Sequence, residues 1–214
     1  MRPFFQKHQD FCYMGLFPLL HFFYFLLQKL PLQYHIVHTT MDEYIPFLPV
    51  FILPYIFWYI YVPLPMLYMY FTRRQIYLRQ IVTLFSGAFI CVFLFFLCPT
   101  AINFRPQPQG RGLLLSLCRM IFQSDQPVNV FPSLHCYEAM AIHLSTFSGS
   151  FGREHLLLRL SSAVAVTLIC LSTVFVKQHS VADLIAGCFL SILIHVIINR
   201  FFQRKEAPHV NSSL

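Results

Sequence analysis

The chain has 214 residues, 57% of them hydrophobic and only 11% charged, with 25 phenylalanines. A soluble domain carries about 25% charged residues, so this composition excludes a free-standing water-soluble fold. The net charge of +7 is spread between apolar runs and not gathered in one stretch. That is a membrane-topology pattern, and no nucleic-acid partner is expected.

Taken in chain order, apolar runs fall at approximately 11–30, 46–70, 81–98, 132–149, 158–177 and 180–200. Each approaches the ~20 residues that cross a ~30 Å hydrocarbon layer as a helix. The dyad alternation of a barrel is missing, so helices are the spanning element. The expected fold class is all-α: a polytopic membrane protein, a six-transmembrane-helix bundle forming one domain over 1–214. The first run continues to full spanning length without a small-residue cleavage site, unlike a removable signal. The second carries Pro54, Pro63 and Pro65 and is expected to kink or end early. In the 99–131 loop, Pro106, Pro108, Gly110 and Gly112 mark irregular backbone. The GLLLSLCRMIF segment that follows fits a short interfacial helix, or a connecting helix packed on the bundle. The tail, 206–214, is polar and expected to be disordered. Most of the seven cysteines fall inside the spans and read as small buried hydrophobes. A Cys98–Cys118 bridge is conceivable if both sit near one face, but spacing cannot show pairing.

Basic residues set the expected orientation. Arg2, Lys7, Arg73, Arg74, Arg79, Arg153, Arg159, Arg200, Arg204 and Lys205 flank one side; Lys29, Arg105, Arg111, Arg119 and Lys177 flank the other. The excess on the first side puts both termini in the cytoplasm. Arg105, His135 and His179 then share the extracytoplasmic face.

Two polar stretches interrupt this oily chain: FPSLH at 131–135 and STVFVKQHSVAD at 172–183. Ionisable groups in such surroundings are costly and mark function by default. If the last span begins near His179, Asp183 lies one turn deeper on the same face. Its carboxylate can then orient one ring nitrogen and leave the other free to attack, although a His–Asp pair that merely pins two helices has the same spacing. In FPSLH, Pro132 suits the first helical position, and the amides of Ser133, Leu134 and His135 would point outward toward an anion. An ordinary Pro-started helix reads the same way. The Ser133 hydroxyl adds a donor, and His135 can protonate a leaving oxygen. Arg105 supplies a forked cation for phosphate or for lipid headgroups.

Together these residues resemble the type 2 phosphatidic acid phosphatase superfamily of six-helix membrane enzymes. Its motifs are Lys-x6-Arg-Pro, Pro-Ser-Gly-His and Ser-Arg-x5-His-x3-Asp. They appear here as Arg105-Pro106, Pro132-Ser133-Leu134-His135 and Ser172-Thr173-x5-His179-x3-Asp183, over roughly residues 80–200. The resemblance implies His179 as nucleophile, Asp183 as its orienting carboxylate and His135 as proton donor. It implies phosphate contacts from Arg105, Ser133, Leu134, Ser172 and, as a replacement cation, Lys177. It implies no cofactor and no metal. The family's first lysine falls on Cys98 and the arginine after its serine on Thr173, so two phosphate-binding cations are absent. Leu134 in place of glycine and the Lys-Gln-His run look similar to the branch with inositol phosphorylceramide and sphingomyelin synthases.

Other polar residues within the spans admit further readings. His21, His143 and His195 raise haem ligation, but His143 sits about 12 Å below His135 by helical rise, with no histidine at that level on the last span. Bonding to a neighbouring helix is the simpler role. Glu138, one turn after His135, fits helix pairing, tuning of His135 or contact with a headgroup. The expected function is an integral membrane lipid phosphatase acting on a phosphatidic acid-like or isoprenyl phosphate lipid through a phosphohistidine. A phospho-headgroup transferase and a silent lipid-binding protein are the alternatives.

Overall fold

The computed structural model describes residues 9–206. Arg2, Lys7, the side chains of Arg204 and Lys205 and nearly all of the tail expected at 206–214 lie outside the described residues. A 3-10 turn, Gln9–Gly15, leads into α1 (Leu16–Leu27). After β1 (His35–Ile36) and the single-turn α2 (Thr40–Tyr44) come α3 (Ile52–Tyr61), α4 (Pro63–Thr72) and α5 (Arg74–Leu97). Then follow β2 (Thr100–Ala101), α6 (Leu113–Ser124), α7 (Leu134–Phe147) and α8 (Ser150–Glu154), with α9 (Leu156–Phe175) and α10 (Val181–Glu206) closing the chain.

Among the described residues, five helices or helix pairs are long and apolar enough to cross a membrane: Asp10–Leu27, Pro49–Thr72, Arg74–Leu97, Leu156–Phe175 and Val181–Phe202. The protein is an all-helical integral membrane protein. The helix expected at 132–149 is present as α7 but has only 14 residues, about 21 Å of helix. Its position explains why it can be short. α7 packs against α5, α9 and α10 together, so protein and not lipid surrounds it.

Local sequence accounts for the boundaries. Pro63 opens α4 at the first helical position, where its missing N–H is harmless. The second apolar run therefore breaks at Val62, as its prolines predict. α5 begins seven residues before the apolar run expected at 81; in that polar first stretch Tyr77 and Gln80 turn inward and are buried, while Arg74 and Gln75 stay exposed. In α6, Leu114, Leu117, Cys118, Ile121 and Phe122 form one apolar stripe at helical spacing. The stripe packs on Ile52, Tyr55 and Val176, beneath the candidate site.

Burying apolar surface gives helices in lipid no reason to associate, so close approach and van der Waals contact must hold them. Gly87 and Gly187 provide it around α7. A Cβ at Gly87 would lie 2.0 Å from the Tyr137 ring, and one at Gly187 would lie 2.5 Å from the Ser133 carbonyl oxygen. The Tyr137 hydroxyl then donates to the Thr83 carbonyl at 2.5 Å. The seven cysteines are free; Cys98 is exposed and Cys118 buried. His143 Nδ1 contacts Ser162 Oγ of α9 at 2.9 Å, the helix-pairing role expected for it.

Candidate active site

Two chain reversals meet at one end of the bundle. The first ends α9. Lys177 adopts a left-handed backbone, φ 58°, its N–H bonds to the Val174 carbonyl, and the Gln178 N–H bonds to that of Thr173. This is a Schellman turn with lysine where glycine is usual. It throws the chain sideways and delivers His179 to the start of α10. There the Ser180 hydroxyl accepts from the Ala182 N–H at 3.3 Å, and Asp183 Oδ2 accepts from the Ser180 N–H at 2.8 Å. Ser180 and Asp183 thus cap the start of α10, the Asp183 carboxylate on the Ser180 N–H being one half of a capping box.

The second reversal precedes α7. β1 pairs in parallel with β2, His35 opposite Thr100 and Ile36 opposite Ala101. The Thr100 hydroxyl accepts from the Val130 and Phe131 N–H groups at 3.1 and 3.0 Å. The Val130 carbonyl is thereby held where it meets His179 Nδ1 at 3.1 Å. Pro132 follows a cis peptide and lies outside the helix, not at its first position as expected. Ser133 is the N-cap, its hydroxyl accepting from the Cys136 N–H at 3.4 Å. The Ser133 N–H bonds to the Asp183 carbonyl at 3.1 Å, which locks the two motifs together.

These contacts determine the His179 tautomer. A carbonyl can only accept, so Nδ1 carries the proton toward Val130, with Asp183 Oδ2 3.4 Å away. Nε2 keeps its lone pair and has no hydrogen-bond partner among the described residues. Asp183 is fully buried and His179 6% exposed. The His135 ring lies 5.8 Å from that of His179, edge-on, between Tyr55 at 4.5 Å and Trp58 at 4.4 Å.

The expected phosphate contacts are placed unevenly. Ser133, Leu134 and His135 form the start of α7 beside His179. Arg105 is near but occupied: Nη1 donates to the Asp125 carbonyl and Gln178 Oε1 at 2.7 and 2.8 Å, and Nη2 donates to the Phe122 carbonyl at 3.1 Å. Burial lowers its pKa, against the pull of Asp125, yet a guanidinium stays charged. Lys177 Nζ donates to the Asp42 carbonyl at 2.6 Å, so the lysine closes the turn onto the 39–44 segment. Burial lowers its pKa, and Asp42 opposes the shift. Ser172 is buried inside α9 and donates to the Ile169 carbonyl at 2.6 Å; Thr173 likewise donates to that of Cys170 at 2.7 Å.

Sequence reasoning missed two carboxylates. Asp42 Oδ1 accepts from the Val181 N–H at 2.8 Å, while Oδ2 accepts from the Ser180 hydroxyl at 2.6 Å and the Thr39 N–H at 2.7 Å. Burial alone would raise its pKa; the hydrogen bonds from Ser180, Val181 and Thr39 outweigh it and hold the group below its usual value. Asp125 accepts from Tyr24, Gln28 and Tyr55 at 3.0, 3.0 and 2.6 Å. For Asp42 the Thr39-x-x-Asp42 capping box was a signal available in the sequence; for Asp125 there was none.

A family model described as the PAP2 superfamily matches residues 83–207, from α5 to the end of α10. The chain belongs to the PAP2 superfamily. The matched region contains the start of α7 and residues 172–183, the two segments that meet at this end of the bundle. No curated protein and no solved structure matches the chain.

Proposed function

We propose that this PAP2 superfamily protein is a lipid phosphatase that works through a phosphohistidine on His179, as the resemblance of its motifs implied. The observation that carries the reading is the His179 ring, held by Val130 and Asp183 through Nδ1 with Nε2 free, facing a second histidine at 5.8 Å. Nε2 attacks phosphorus; His135 protonates the departing alcohol oxygen; water then releases phosphate. The amides at the start of α7 and the Ser133 hydroxyl hold equatorial oxygens, the electrostatic part of phosphoryl transfer. The substrate class is phosphatidic acid-like or isoprenyl phosphate lipid. The basic flanks support a site on the extracytoplasmic side with both termini cytoplasmic.

A second reading, transfer of a phospho-headgroup between lipids, is favoured by one observation. Arg105 and Lys177 spend hydrogen bonds on protein carbonyls, and Cys98 and Thr173 stand where the family has cations. A phosphodiester carries less charge than a phosphate monoester and needs fewer cations.

The deciding experiment is phosphate release by the purified protein in detergent–lipid micelles with EDTA, beside His179→Ala. The panel holds phosphatidic acid, lysophosphatidic acid, phosphatidylglycerol phosphate and an isoprenyl pyrophosphate. Release that survives the chelator and vanishes in the variant is expected. Product formed only when a lipid alcohol acceptor is added establishes the transferase. A protein that forms no phosphoenzyme under either condition is a silent lipid binder.

A further inference from the structure

At the end of the bundle away from His179 lies a cavity of about 340 Å³, lined by Gln75 and Arg79 of α5, Arg153 of α8, Asn199 of α10 and the 148–150 turn. Pockets for small ligands run from ~300 to 1,000 Å³, so a small polar group fits inside. The lining is mainly polar and includes no acidic residue. Asn199 stands 18 residues beyond Val181, the first residue of α10, which is about 27 Å of helix. That is close to the ~30 Å of hydrocarbon in a bilayer. The cavity and His179 therefore lie at opposite faces of the membrane.

Charge sets this wall apart. At the same end Arg73 contacts Glu154, and Arg74 pairs with Asp10. Glu154 follows Arg153 in the chain yet serves Arg73. Among the described residues, neither Arg79 nor Arg153 has a carboxylate partner. Arg79 Nε is buried without a hydrogen-bond partner. Its Nη1 lies 4.0 Å from the place of a Cβ on Gly149, so the guanidinium rests against the 148–150 turn, with Cζ 5.7 Å from the Phe202 ring. A guanidinium cannot shed its proton, and a partly buried charge without a counter-charge is costly. The hydroxyls on the wall divide into two kinds. Ser145 and Thr146 donate to the Ala141 and Ile142 carbonyls, both at 2.5 Å. Ser148 and Ser150 are exposed, and among the described residues their hydroxyls have no acceptor.

We propose that this cavity is an anion site that takes a phosphate group at the membrane face opposite the candidate active site. Arg79 and Arg153 approach it from two different helices, and a guanidinium fork matches two phosphate oxygens at once. The Ser148 and Ser150 hydroxyls supply further donors. Soon after Arg153 come Leu156, Leu157 and Leu158, all exposed and apolar. Such a neighbourhood suits a phosphate carried on a phospholipid, whose acyl chains stay in the bilayer. Free phosphate offers the same oxygens. Neither arginine belongs to the catalytic machinery, and binding here is independent of turnover at His179.

The test uses the full-length protein in phosphatidylcholine nanodiscs, titrated in one arm with phosphatidylglycerol and in the other with inorganic phosphate. Thermal unfolding reads binding, because a ligand held only by the folded state raises Tm. The parent is compared with Arg153→Gln, with the double variant Arg79→Gln/Arg153→Gln, and with Arg200→Gln, an exposed arginine at the same end but outside the cavity. Phosphatidylglycerol is expected to raise the Tm of the parent. Its apparent affinity is expected to fall about tenfold or more in Arg153→Gln and further in the double variant, with Arg200→Gln close to the parent. The Arg153 side chain is exposed, so that single variant decides the matter even where the double variant does not fold. A Tm rise from inorganic phosphate that is lost in the same variants also supports the site, with free phosphate as its ligand. Equal affinity in the parent and Arg153→Gln overturns the proposal, as does the absence of a response to either probe. An equal loss in Arg200→Gln overturns it too, since that is the general attraction of a basic flank for anionic lipid. Either probe bound at His179 acts alike on parent and variants, so the difference between them reports this cavity alone.

Discussion

The two ends of the bundle handle charge in opposite ways. At the end away from the site, charge meets charge near the surface. Arg73 contacts Glu154 at 3.4 Å with side chains 52% and 50% exposed, and Arg74 pairs with Asp10. At the site end, Asp42, Asp125 and Asp183 are buried and held by hydroxyls, amides and an imidazole, whereas Lys177 and Arg105 donate to carbonyls. Among the described residues, no carboxylate at that end forms an ion pair with lysine or arginine. The surface pairs neutralise each other, and exposed pairs of that kind contribute about 0–1 kcal/mol.

This contrast is open to direct attack. The largest effect is expected from Gly187→Ala, whose Cβ would lie 2.5 Å from the Ser133 carbonyl and push α10 off the start of α7. A shift of about 1 Å between His179 and His135 costs on the order of a hundredfold in kcat, alongside ~1–3 kcal/mol of stability for overpacking. Kinetics and thermal unfolding measured together will show it, and wild-type kcat would mean that the two motifs need no such contact.

Next comes Asp42→Asn, which weakens the bonds that fasten Ser180 and Val181. Loss of a buried acceptor costs ~1–3 kcal/mol, and kcat is expected to fall about tenfold as the His179 turn loosens. The same residue sets an acid limit. Its folded pKa lies below its ordinary 3.8, so its contribution is complete above that value and lost as pH falls through the lower, folded one. Parent stability followed below pH 4 should fall more steeply than that of Asp42→Asn.

A subtler comparison separates the two roles open to Lys177. Lys177→Gly relieves the left-handed backbone by about 1 kcal/mol while losing the bond to Asp42, so its stability stays near the parent's. Lys177→Ala keeps the backbone cost and loses the bond, and is expected to be ~1–2 kcal/mol less stable. If turnover follows that order, lysine serves the turn. An equal loss of turnover in both variants would restore it as a phosphate cation. The smallest effect belongs to Glu154→Gln at the far end: a change within about 0.5 kcal/mol and unaltered kcat.

Hydropathy alone located every long helix, and the prolines marked the break at Val62. His179 and Asp183 were legible from their spacing near a span start, but the helix begins at Val181 and not at His179, so the turn after Phe175 and not a shared helix face brings the two together. What hydropathy could not reveal was the inward-turned first stretch of α5 or the way α7 is sheathed by protein, since both depend on which helices become neighbours. Arg105 and Lys177 were legible as cations but not as donors to carbonyls, because a sequence does not display the orphan carbonyls left by a turn.

By itself the sequence determined an all-helical membrane protein with two histidines and an aspartate at one end. Those features rest on local spacing and on the need of every backbone polar group in lipid for a partner within its own helix. Only the tertiary structure decided which nitrogen of His179 stays free, because the deciding acceptor, Val130, is 49 residues away in sequence. Only it brought Asp42 and Asp125 to the site, across separations of 138 residues to Ser180 and 70 to Tyr55. Contacts between segments so distant in the chain leave no periodic trace in it. They come into being when the helices pack.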